Sequence, residues 1–439
     1  MVECVICGTV IRLSVQATEI DSHYVNFCCP KCNQFIKVKY GVQNTNVVPK
    51  NIEDLQNIGK CIFSYENAIE VNKEPEYSIR SSAEFLTEPL IKYEGIDKLD
   101  RTPFFLAWDM KISFGHFRQN MDFFLYRKSN YLIYNNAVQL YLNDNYDYFP
   151  NNVSKILPLS MYPSDSELER LRAVHAIKRA LFRPLEYRNI DLTDKLFNRT
   201  TSNPGAFAEF IDYLILNDKL ITLNKKIYRT LMKFLEKIDL FFPIYSLDFT
   251  EKQYLPKKFM ITTFTLEDIK GLYIDGYETF IDTIGFASLF SNLYERGSYK
   301  NFPENMNLDK YKKMSKLSRL RNVCKEDLIF SEMPFNIDNI VRNSFGHNDY
   351  IEIYGSNILK VRKNDKSNYY EVSLMEVATD LFDIYKNLIL YEEFVYKVYQ
   401  NLIGYKLQKM QIRDFDVSKI GRNEKCFCGS LKKYKKCCG

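Results

Sequence analysis

The sequence has only 4 histidines among 439 residues, and it lacks the patterns that mark several large classes of protein. It contains no glycine-rich phosphate loop, no Ser-His-Asp arrangement and no repeat of fixed period, which argues against a P-loop nucleotide hydrolase, a serine hydrolase and a solenoid. Charged residues interrupt every apolar run well short of the roughly 18 residues that a membrane span requires. The sequence does not open with a positively charged stretch followed by an apolar run, as a secretory signal would. We therefore expect a cytoplasmic protein that has no membrane partner.

Length and composition predict a folded chain with several parts. A chain of 439 residues exceeds one ordinary hydrophobic core, so we expect two or three globular units and small satellites. Hydrophobic residues make up 46% of the chain, so most of it should fold and bury surface. The net charge of +5 is uneven, because residues 419–439 hold seven basic residues and one acidic residue, a net of +6. A basic segment on a near-neutral body suits RNA, DNA or an acidic protein as a partner.

Eleven cysteines in a cytoplasmic chain need a role other than disulfide formation. A first cluster consists of "CVIC" at 4–7 and "CCPKC" at 28–32, and each Cys-x-x-Cys turn would point two thiolates at one ion. The segment between the turns alternates apolar and polar residues, as the two strands of a zinc ribbon would. Cys28 remains an alternative to Cys29, and His23 is a less favoured ligand. The predicted ligands of this zinc site are Cys4, Cys7, Cys29 and Cys32.

A second cysteine cluster lies in "GRNEKCFCGSLKKYKKCCG", residues 421–439. This stretch resembles the SEC-C motif, a short zinc-binding module of many unrelated bacterial proteins. The likeness covers the leading "GRN", the Cys-x-Cys-Gly-Ser run and "KKYKKCC", and it departs at Glu424, Lys425 and Phe427, which lie in the loop. The resemblance implies a compact zinc knuckle that docks a protein partner, and its ligands would be Cys426, Cys428, Cys437 and Cys438. Both zinc ions would be structural, because four thiolates leave no open coordination position for water.

Helical periodicity begins in "SDSELERLRAVHAIKRALF", which starts at residue 164 with a Ser-x-x-Glu signal. Arg170 and His175 lie in this segment, five residues apart. His175 falls on the apolar side of the predicted helix, so we interpret it as a core or boundary histidine and not as a site. Residues 205–240 predict two further helices, and residues 264–296 predict one or two more.

A further helix is predicted over "PFNIDNIVRNSFGH", residues 334–347, with Arg342 and Asn343 off its apolar side. Five residues correspond to about 140° of helical rotation, so Arg342 and His347 would not share a face of a continuous helix. Gly346, as a left-handed terminating residue, would end the helix and bring His347 back toward Arg342.

Three strand-like runs follow, "YIEIY", "NILKVRK" and "YYEVSL", and a long helix then opens at Ser373 with a capping box. An upstream helix near 313–330 completes a small bundle. This succession resembles the HEPN family of helical nucleases, whose signature is Arg, a polar residue, a few more residues and then His. The resemblance covers roughly 255–410 and implies metal-independent RNA cleavage at a site built from two copies of the motif across a homodimer. The implied site residues are Arg342, Asn343 and His347.

The residue types agree with RNA cleavage. A neutral imidazole, with a pKa near about 6.5, can take the proton of a ribose 2′-hydroxyl or protonate the leaving 5′-oxygen. Arg342 is always charged and fork-shaped, so it can hold the phosphate, while Asn343 could orient the histidine or contact the backbone. One Arg–His pair supplies a single titrating group, so the homodimer would supply the second. We expect RNA as substrate, with transfer RNA as one candidate, and a toxin or phage-defence effector as the role.

The alternative is a non-catalytic zinc-containing adaptor that binds nucleic acid or a protein through its two termini. The letters "SFGH" also occur at 113–116, with lysine at the position that corresponds to Arg342. The flanking Phe114 and Phe117 favour a buried structural role for His116.

The expected fold is mainly α (α+β). The predicted domains are a zinc ribbon at 1–42, an uncharacterised middle region at 43–254, a HEPN-like helical domain with a small β insertion at 255–410, and a SEC-C zinc-binding motif at 419–439. Within the middle region, residues 43–75 are polar and rich in asparagine, and we expect them to link the ribbon to the body.

Overall fold

The structure is a computed structural model that describes residues 1–16, 20, 22–42, 61–87, 91–93, 114–158, 166–185, 189–200, 203–217, 219–249, 259–303, 306–332, 339–353, 357–362, 368–412, 421–423 and 433–436. The chain is 60% helical with small sheets, which confirms the predicted mainly α class. None of the described helices is both long enough and apolar enough to cross a membrane.

The described ranges contain eleven strands and fourteen α-helices. The strands are β1 (Val2–Cys4), β2 (Val10–Val15), β3 (Ser22–Cys28), β4 (Phe35–Val42), β5 (Cys61–Glu66), β6 (Ala68–Glu70), β7 (Tyr77–Ser81), β8 (Ile91–Lys92), β9 (Tyr350–Ile353), β10 (Ile358–Arg362) and β11 (Tyr369–Ser373). The helices are α1 (Phe114–Ser129), α2 (Tyr131–Leu142), α3 (Phe149–Val153), α4 (Glu167–Phe182), α5 (Asn189–Thr200), α6 (Pro204–Asn217), α7 (Lys219–Leu235), α8 (Phe242–Tyr245), α9 (Leu266–Arg296), α10 (Leu308–Lys313), α11 (Lys316–Arg321), α12 (Leu328–Ser331), α13 (Asn339–His347) and α14 (Leu374–Ile412).

The predicted helix starts are confirmed by their caps. At α4, the Ser166 side chain accepts a hydrogen bond from the Glu169 N–H. At α14, the Ser373 Oγ accepts from the Glu376 N–H at 3.0 Å, and the Glu376 Oε2 accepts from the Ser373 N–H at 2.7 Å. This reciprocal pair is the capping box that the sequence predicts, and each such cap stabilises a helix by about 1 kcal/mol.

The helix predicted near 313–330 is wrong in its length. The chain forms α10, α11 and α12 there, because Met314 is extended and Ser315 starts a new helix by accepting from the Ser318 N–H at 3.1 Å. Conversely, residues 264–296 form one helix, α9, and not two.

The chain divides into two compact units. Unit 1 comprises Met1–Tyr126, Lys233–Tyr277 and Phe335–Ile384. Unit 2 comprises Arg127–Met232, Glu278–Pro334 and Tyr385–Gly439.

The amino-terminal part of unit 1 contains a five-stranded sheet, in the order β6-β1-β2-β7-β8, and a three-stranded sheet, in the order β3-β4-β5. The strands predicted between the two cysteine pairs are present as β2 and β3, but they lie in separate sheets and do not form one hairpin. A lone hairpin would leave its apolar face in water. Here Val25 and Val38 of one sheet share a buried cluster with Ile11 and Ile79 of the other. The linker predicted over 43–75 is also wrong in part, since its later residues form β5 and β6.

The three strand-like runs after α13 are strands, as predicted, and they form an antiparallel sheet in the order β11-β10-β9. Helix α13 packs on β10, and its buried residues Val341 and Phe345 face the interior together with Leu359 and Val361 of that strand. This packing fixes the position of the helix that carries Arg342.

Unit 2 consists of helices around an aromatic core in its described residues. The Phe290 ring contacts Phe197 and Phe394, with centroids 4.8 and 5.6 Å apart. Tyr391 lies against Phe280 at 6.0 Å. Burying each such ring contributes about 1.5–3 kcal/mol, so this core stabilises unit 2.

Candidate metal centre and candidate catalytic site

Four cysteine sulfurs converge in unit 1, each within 4.8 Å of the others, and they belong to Cys4, Cys7, Cys29 and Cys32. The Sγ atoms of Cys4 and Cys32 are 3.6 Å apart, and those of Cys7 and Cys29 are 3.4 Å apart. Thiolates around a tetrahedral ion with metal–sulfur bonds of about 2.3 Å would be about 3.8 Å apart. The predicted amino-terminal ligand set is therefore brought together in an arrangement that can hold one metal ion.

The two Cys-x-x-Cys turns have the same backbone geometry. In each turn the residue after the second cysteine is left-handed, with φ of 71° at Gly8 and 58° at Asn33. Its N–H donates to the carbonyl of the first cysteine at 2.9 Å in both turns. The N–H of that first cysteine donates to a carbonyl five residues later, at 3.0 Å for Cys4 and 2.9 Å for Cys29. Two matched turns of this kind bring the four sulfur atoms around one position.

Cys28 and His23 lie outside the cluster. Cys28 pairs with Phe35 across the sheet, and burial, together with the charges of Glu352 and Cys29, raises its pKa to about 12. The His23 ring packs on Tyr40 at 5.1 Å, and burial lowers its pKa to about 4. Of the two adjacent cysteines, Cys29 is therefore the one in the metal-binding position.

The predicted carboxy-terminal ligands lie outside the described residues, and they are Cys426, Cys428, Cys437 and Cys438. Within that segment the structure describes only residues 421–423 and 433–436, with a short 3-10 helix at Tyr434–Lys436.

Arg342, Asn343 and His347 all lie on α13 in unit 1. The opposite side of the helix is anchored by Phe345, whose ring contacts Tyr273 at 5.3 Å. Arg342 and Asn343 are half-buried, and the Arg342 Nη1 donates to the Asn343 Oδ1 at 3.2 Å. His347 is exposed and forms no hydrogen bond or ion pair with the described residues, so its imidazole is open to a ligand.

The end of α13 differs from the prediction, because Gly346 is helical and Asn348 is the left-handed residue, with φ of 54°. Asparagine tolerates this conformation better than most residues. Gly346 therefore does not redirect His347. A Cβ at this position would lie 3.8 Å from the Arg342 Nη1, which is an ordinary van der Waals contact. The guanidinium thus extends over the last turn of the helix, toward the residue next to His347.

The turn between α13 and β9 is held by hydrogen bonds of side chains that no sequence pattern indicates. The Lys270 Nζ donates to the Asn348 Oδ1 at 2.5 Å and to the Tyr350 hydroxyl at 3.1 Å. That hydroxyl donates to the Glu267 Oε1 at 2.8 Å, and burial raises the Tyr350 pKa, so it stays protonated. Lys270 comes from α9, far away in sequence, and no periodic pattern points to it. The only local signal was an asparagine directly after His347.

The arrangement can bind a phosphate and move a proton. The Arg342 guanidinium presents a planar fork that suits phosphate oxygens. Lys270 lies 3.8 Å from the Glu267 Oε1 and holds the corner after the helix. His347 occupies the last position of α13. Together, Arg342 and His347 supply one group that can bind a phosphate and one that can move a proton.

The other two histidines named by the sequence analysis behave differently. His175 is 7% exposed, its Nε2 lies 3.1 Å from the Glu393 Oε2, and its ring stacks on Tyr396 at 3.4 Å. Burial lowers its pKa, and the interpretation as a core residue is confirmed. The prediction that His116 is buried is wrong, since it is exposed on α1 while Phe117 is fully buried. Neighbouring helical residues point about 100° apart, so one buried flanking ring does not bury the next side chain.

Comparison with known proteins bears on the carboxy-terminal segment. Residues 422–439 match the family model of the SEC-C motif. No curated protein and no solved structure matches the chain.

Proposed function

We propose that the chain is a metal-independent RNA endonuclease of the HEPN type that acts in the cytoplasm as a toxin or phage-defence effector. One observation carries the proposal: the Arg342 guanidinium lies over the last turn of α13, and the exposed His347 imidazole ends that turn. The sheet of β9 to β11 and the long capped helix α14 support it, because the resemblance to HEPN nucleases rests on that succession of elements.

The proposed reaction is a transesterification. The His347 imidazole accepts the proton of a ribose 2′-hydroxyl, and the 2′-oxygen attacks the adjacent phosphorus. The bond from phosphorus to the 5′-oxygen breaks, and that oxygen leaves with a proton from an acid. Arg342 stabilises the negative charge on the phosphate oxygens, and Asn343 orients the guanidinium through its hydrogen bond. The products are a 2′,3′-cyclic phosphate and a 5′-hydroxyl.

The acid in this scheme is the histidine of a second copy of the chain. One α13 supplies one titrating imidazole, whereas the reaction needs a base and an acid in the same site. A homodimer that brings two α13 helices together supplies both. The substrate is RNA, and transfer RNA is the first candidate to test.

Two zinc ions complete the proposed molecule, one at each cysteine cluster. The amino-terminal ion would be held by the Cys4 and Cys29 turns, and the carboxy-terminal ion by the four cysteines of the SEC-C segment. With four thiolate ligands, each ion stabilises its local fold and takes no part in hydrolysis. The SEC-C segment would dock a protein partner, and its lysines would add to RNA attraction.

A second candidate function is a non-catalytic adaptor that binds nucleic acid or a protein. The SEC-C match and the four-cysteine cluster favour it, because both features suit docking and neither needs Arg342 or His347. Cleavage of RNA separates the two candidates.

The test is incubation of purified protein with transfer RNA and with total RNA, without added divalent metal. Chelators are left out, because removing structural zinc would unfold its site and mimic a catalytic metal requirement. We expect wild type and His116→Ala to cleave and His347→Ala not to, since His116 is an exposed histidine outside the site. Arg342→Lys should lose most activity, because an ammonium lacks the fork. Intact RNA with folded, dimeric wild-type protein would favour the adaptor.

A further inference from the structure

Residues 308–325, "LDKYKKMSKLSRLRNVCK", concentrate positive charge on unit 2. The segment has seven basic residues and one acidic residue, a net of +6, which equals the net charge of residues 419–439. Two short helices carry most of it, and each has its own cap, from Asn307 for α10 and from Ser315 for α11. The charge is therefore displayed on a defined surface.

Some of these cations build that surface. The Lys316 Nζ lies 2.7 Å from the Glu278 Oε2 and 3.1 Å from the Asp282 Oδ1, which ties α11 to α9. The Arg319 Nη2 donates to the Lys312 carbonyl at 2.8 Å, which ties α11 to α10. The two carboxylates neutralise Lys316, and the contacts of Lys316 and Arg319 fix the direction of the two helices.

The remaining four cations form what we call the basic surface: Lys310, Lys313, Arg321 and Lys325. All four are exposed, and none forms an ion pair with a described residue. Elsewhere in unit 2, Lys300 pairs with Glu209, and Lys397 lies 2.9 Å from Asp194. Four unpaired like charges in one segment repel one another, and a bound polyanion would remove that repulsion.

A tyrosine beside the basic surface indicates which polyanion it fits. The Lys312 Nζ lies 4.8 Å from the centre of the Tyr213 ring, and that ring packs on Tyr299 at 5.0 Å. Tyr213 is partly exposed, so a base can stack on its ring in place of the exposed Lys312 ammonium, while the cations contact phosphates. An acidic protein would use the charges and leave the ring without a role.

We infer that the basic surface, with Tyr213 beside it, binds single-stranded RNA through its phosphates. This inference rests on the contacts within unit 2 and does not depend on cleavage by the α13 residues. It holds for a nuclease and for an adaptor, because both need a surface that retains RNA.

The test measures the affinity of the full chain for a fluorescent single-stranded RNA over a series of salt concentrations. His347→Ala is present in every protein, so that cleavage cannot distort the binding curves. The test variant adds Lys310→Glu, Lys313→Glu, Arg321→Glu and Lys325→Glu. Each phosphate contact on a single strand contributes about 0.7 to the slope of log K against log salt, so four lost contacts should lower the slope by about 3. At about 0.1 M salt this corresponds to a loss of affinity of about 10²- to 10³-fold.

The matched control reverses the same number and types of charge at scattered exposed positions: Lys92→Glu, Lys155→Glu, Lys195→Glu and Arg183→Glu. We expect the control to keep the salt slope to within about 1 and both variants to keep the circular dichroism of the parent. Equal losses in both variants would overturn the inference in favour of net charge. An unchanged slope in the test variant would also overturn it, and displacement of RNA by poly-glutamate at equal charge would assign the surface to an acidic protein.

Discussion

Two Arg–His pairs have the same spacing, Arg170 with His175 and Arg342 with His347. Loss of the histidine should have opposite effects on stability and on activity in the two pairs. His175→Ala removes a ring that is 7% exposed, stacked on Tyr396 and 3.1 Å from a Glu393 oxygen. His347→Ala removes an exposed ring that has no hydrogen bond or ion pair with the described residues. The first substitution should damage the fold and the second only the chemistry.

The size of the difference follows from burial. At His175 the substitution opens a ring-sized void and leaves Glu393, a buried carboxylate, with Arg179 at 4.0 Å as a remaining cation. Cavity formation and the loss of the nearest partner of a buried carboxylate together cost about 3–5 kcal/mol of the free energy of unfolding. At His347 an exposed substitution should change that free energy by no more than about 0.5 kcal/mol.

The assay is urea unfolding followed by circular dichroism, run beside RNA cleavage on the same preparations. His347→Ala should keep the unfolding midpoint of wild type and lose cleavage, whereas folded His175→Ala should still cleave. Equal destabilisation by the two substitutions would refute the reasoning, as would loss of cleavage in His175→Ala protein that is demonstrably folded.

Three further predictions concern the metal centre, pH and the corner after α13. Cys29→Ser should lower the zinc content by about one ion per chain, while Cys28→Ser should leave it unchanged, as measured by atomic emission. The His23 pKa of about 4 lies below the ordinary value near ~6.5, so its contribution to stability is complete above pH ~6.5 and is lost as pH falls toward 4. Between pH 7 and pH 5 this loss is about 2 kcal/mol, and His23→Phe should reduce the pH dependence of urea unfolding by that amount; an unchanged dependence would contradict the assignment. Lys270→Met should lower single-turnover cleavage about ten- to hundredfold, because Asn348 and Tyr350 lose their shared donor, while RNA affinity stays within about twofold. Equal losses in rate and affinity would instead make Lys270 an RNA contact.

Local patterns predicted much of what the structure contains. The capping box at Ser373, the Ser-x-x-Glu start of α4 and the three strands after α13 depend on residues close together in sequence, and each was predicted. The two Cys-x-x-Cys turns belong to the same class, since their geometry is set within six residues.

Contacts between distant segments could not be predicted. Strand β2 pairs with β7, and residues of these two strands share a buried cluster with residues of β3 and β4. Both contacts join segments that are far apart in sequence. The hydrogen bond from Lys270 to Asn348 depends on how α9 packs beside the end of α13, and no periodicity in the sequence reveals that packing. From the sequence, Gly346 is favoured over Asn348 as the left-handed residue, because glycine is the usual choice at a helix end. The hydrogen bond from the Asp349 N–H to the Ser344 carbonyl decides the position, and the sequence does not reveal it.

The most direct measurement is analysis of the ends of RNA cut by wild-type protein, together with cleavage of the same RNA carrying a 2′-deoxy nucleotide at the mapped position. The proposed mechanism predicts 2′,3′-cyclic phosphate and 5′-hydroxyl ends, no cleavage by His347→Ala, and complete protection by the single 2′-deoxy substitution. Cleavage of the 2′-deoxy RNA, or a 5′-phosphate on the product, would contradict attack by the 2′-hydroxyl and remove His347 from the role proposed for it.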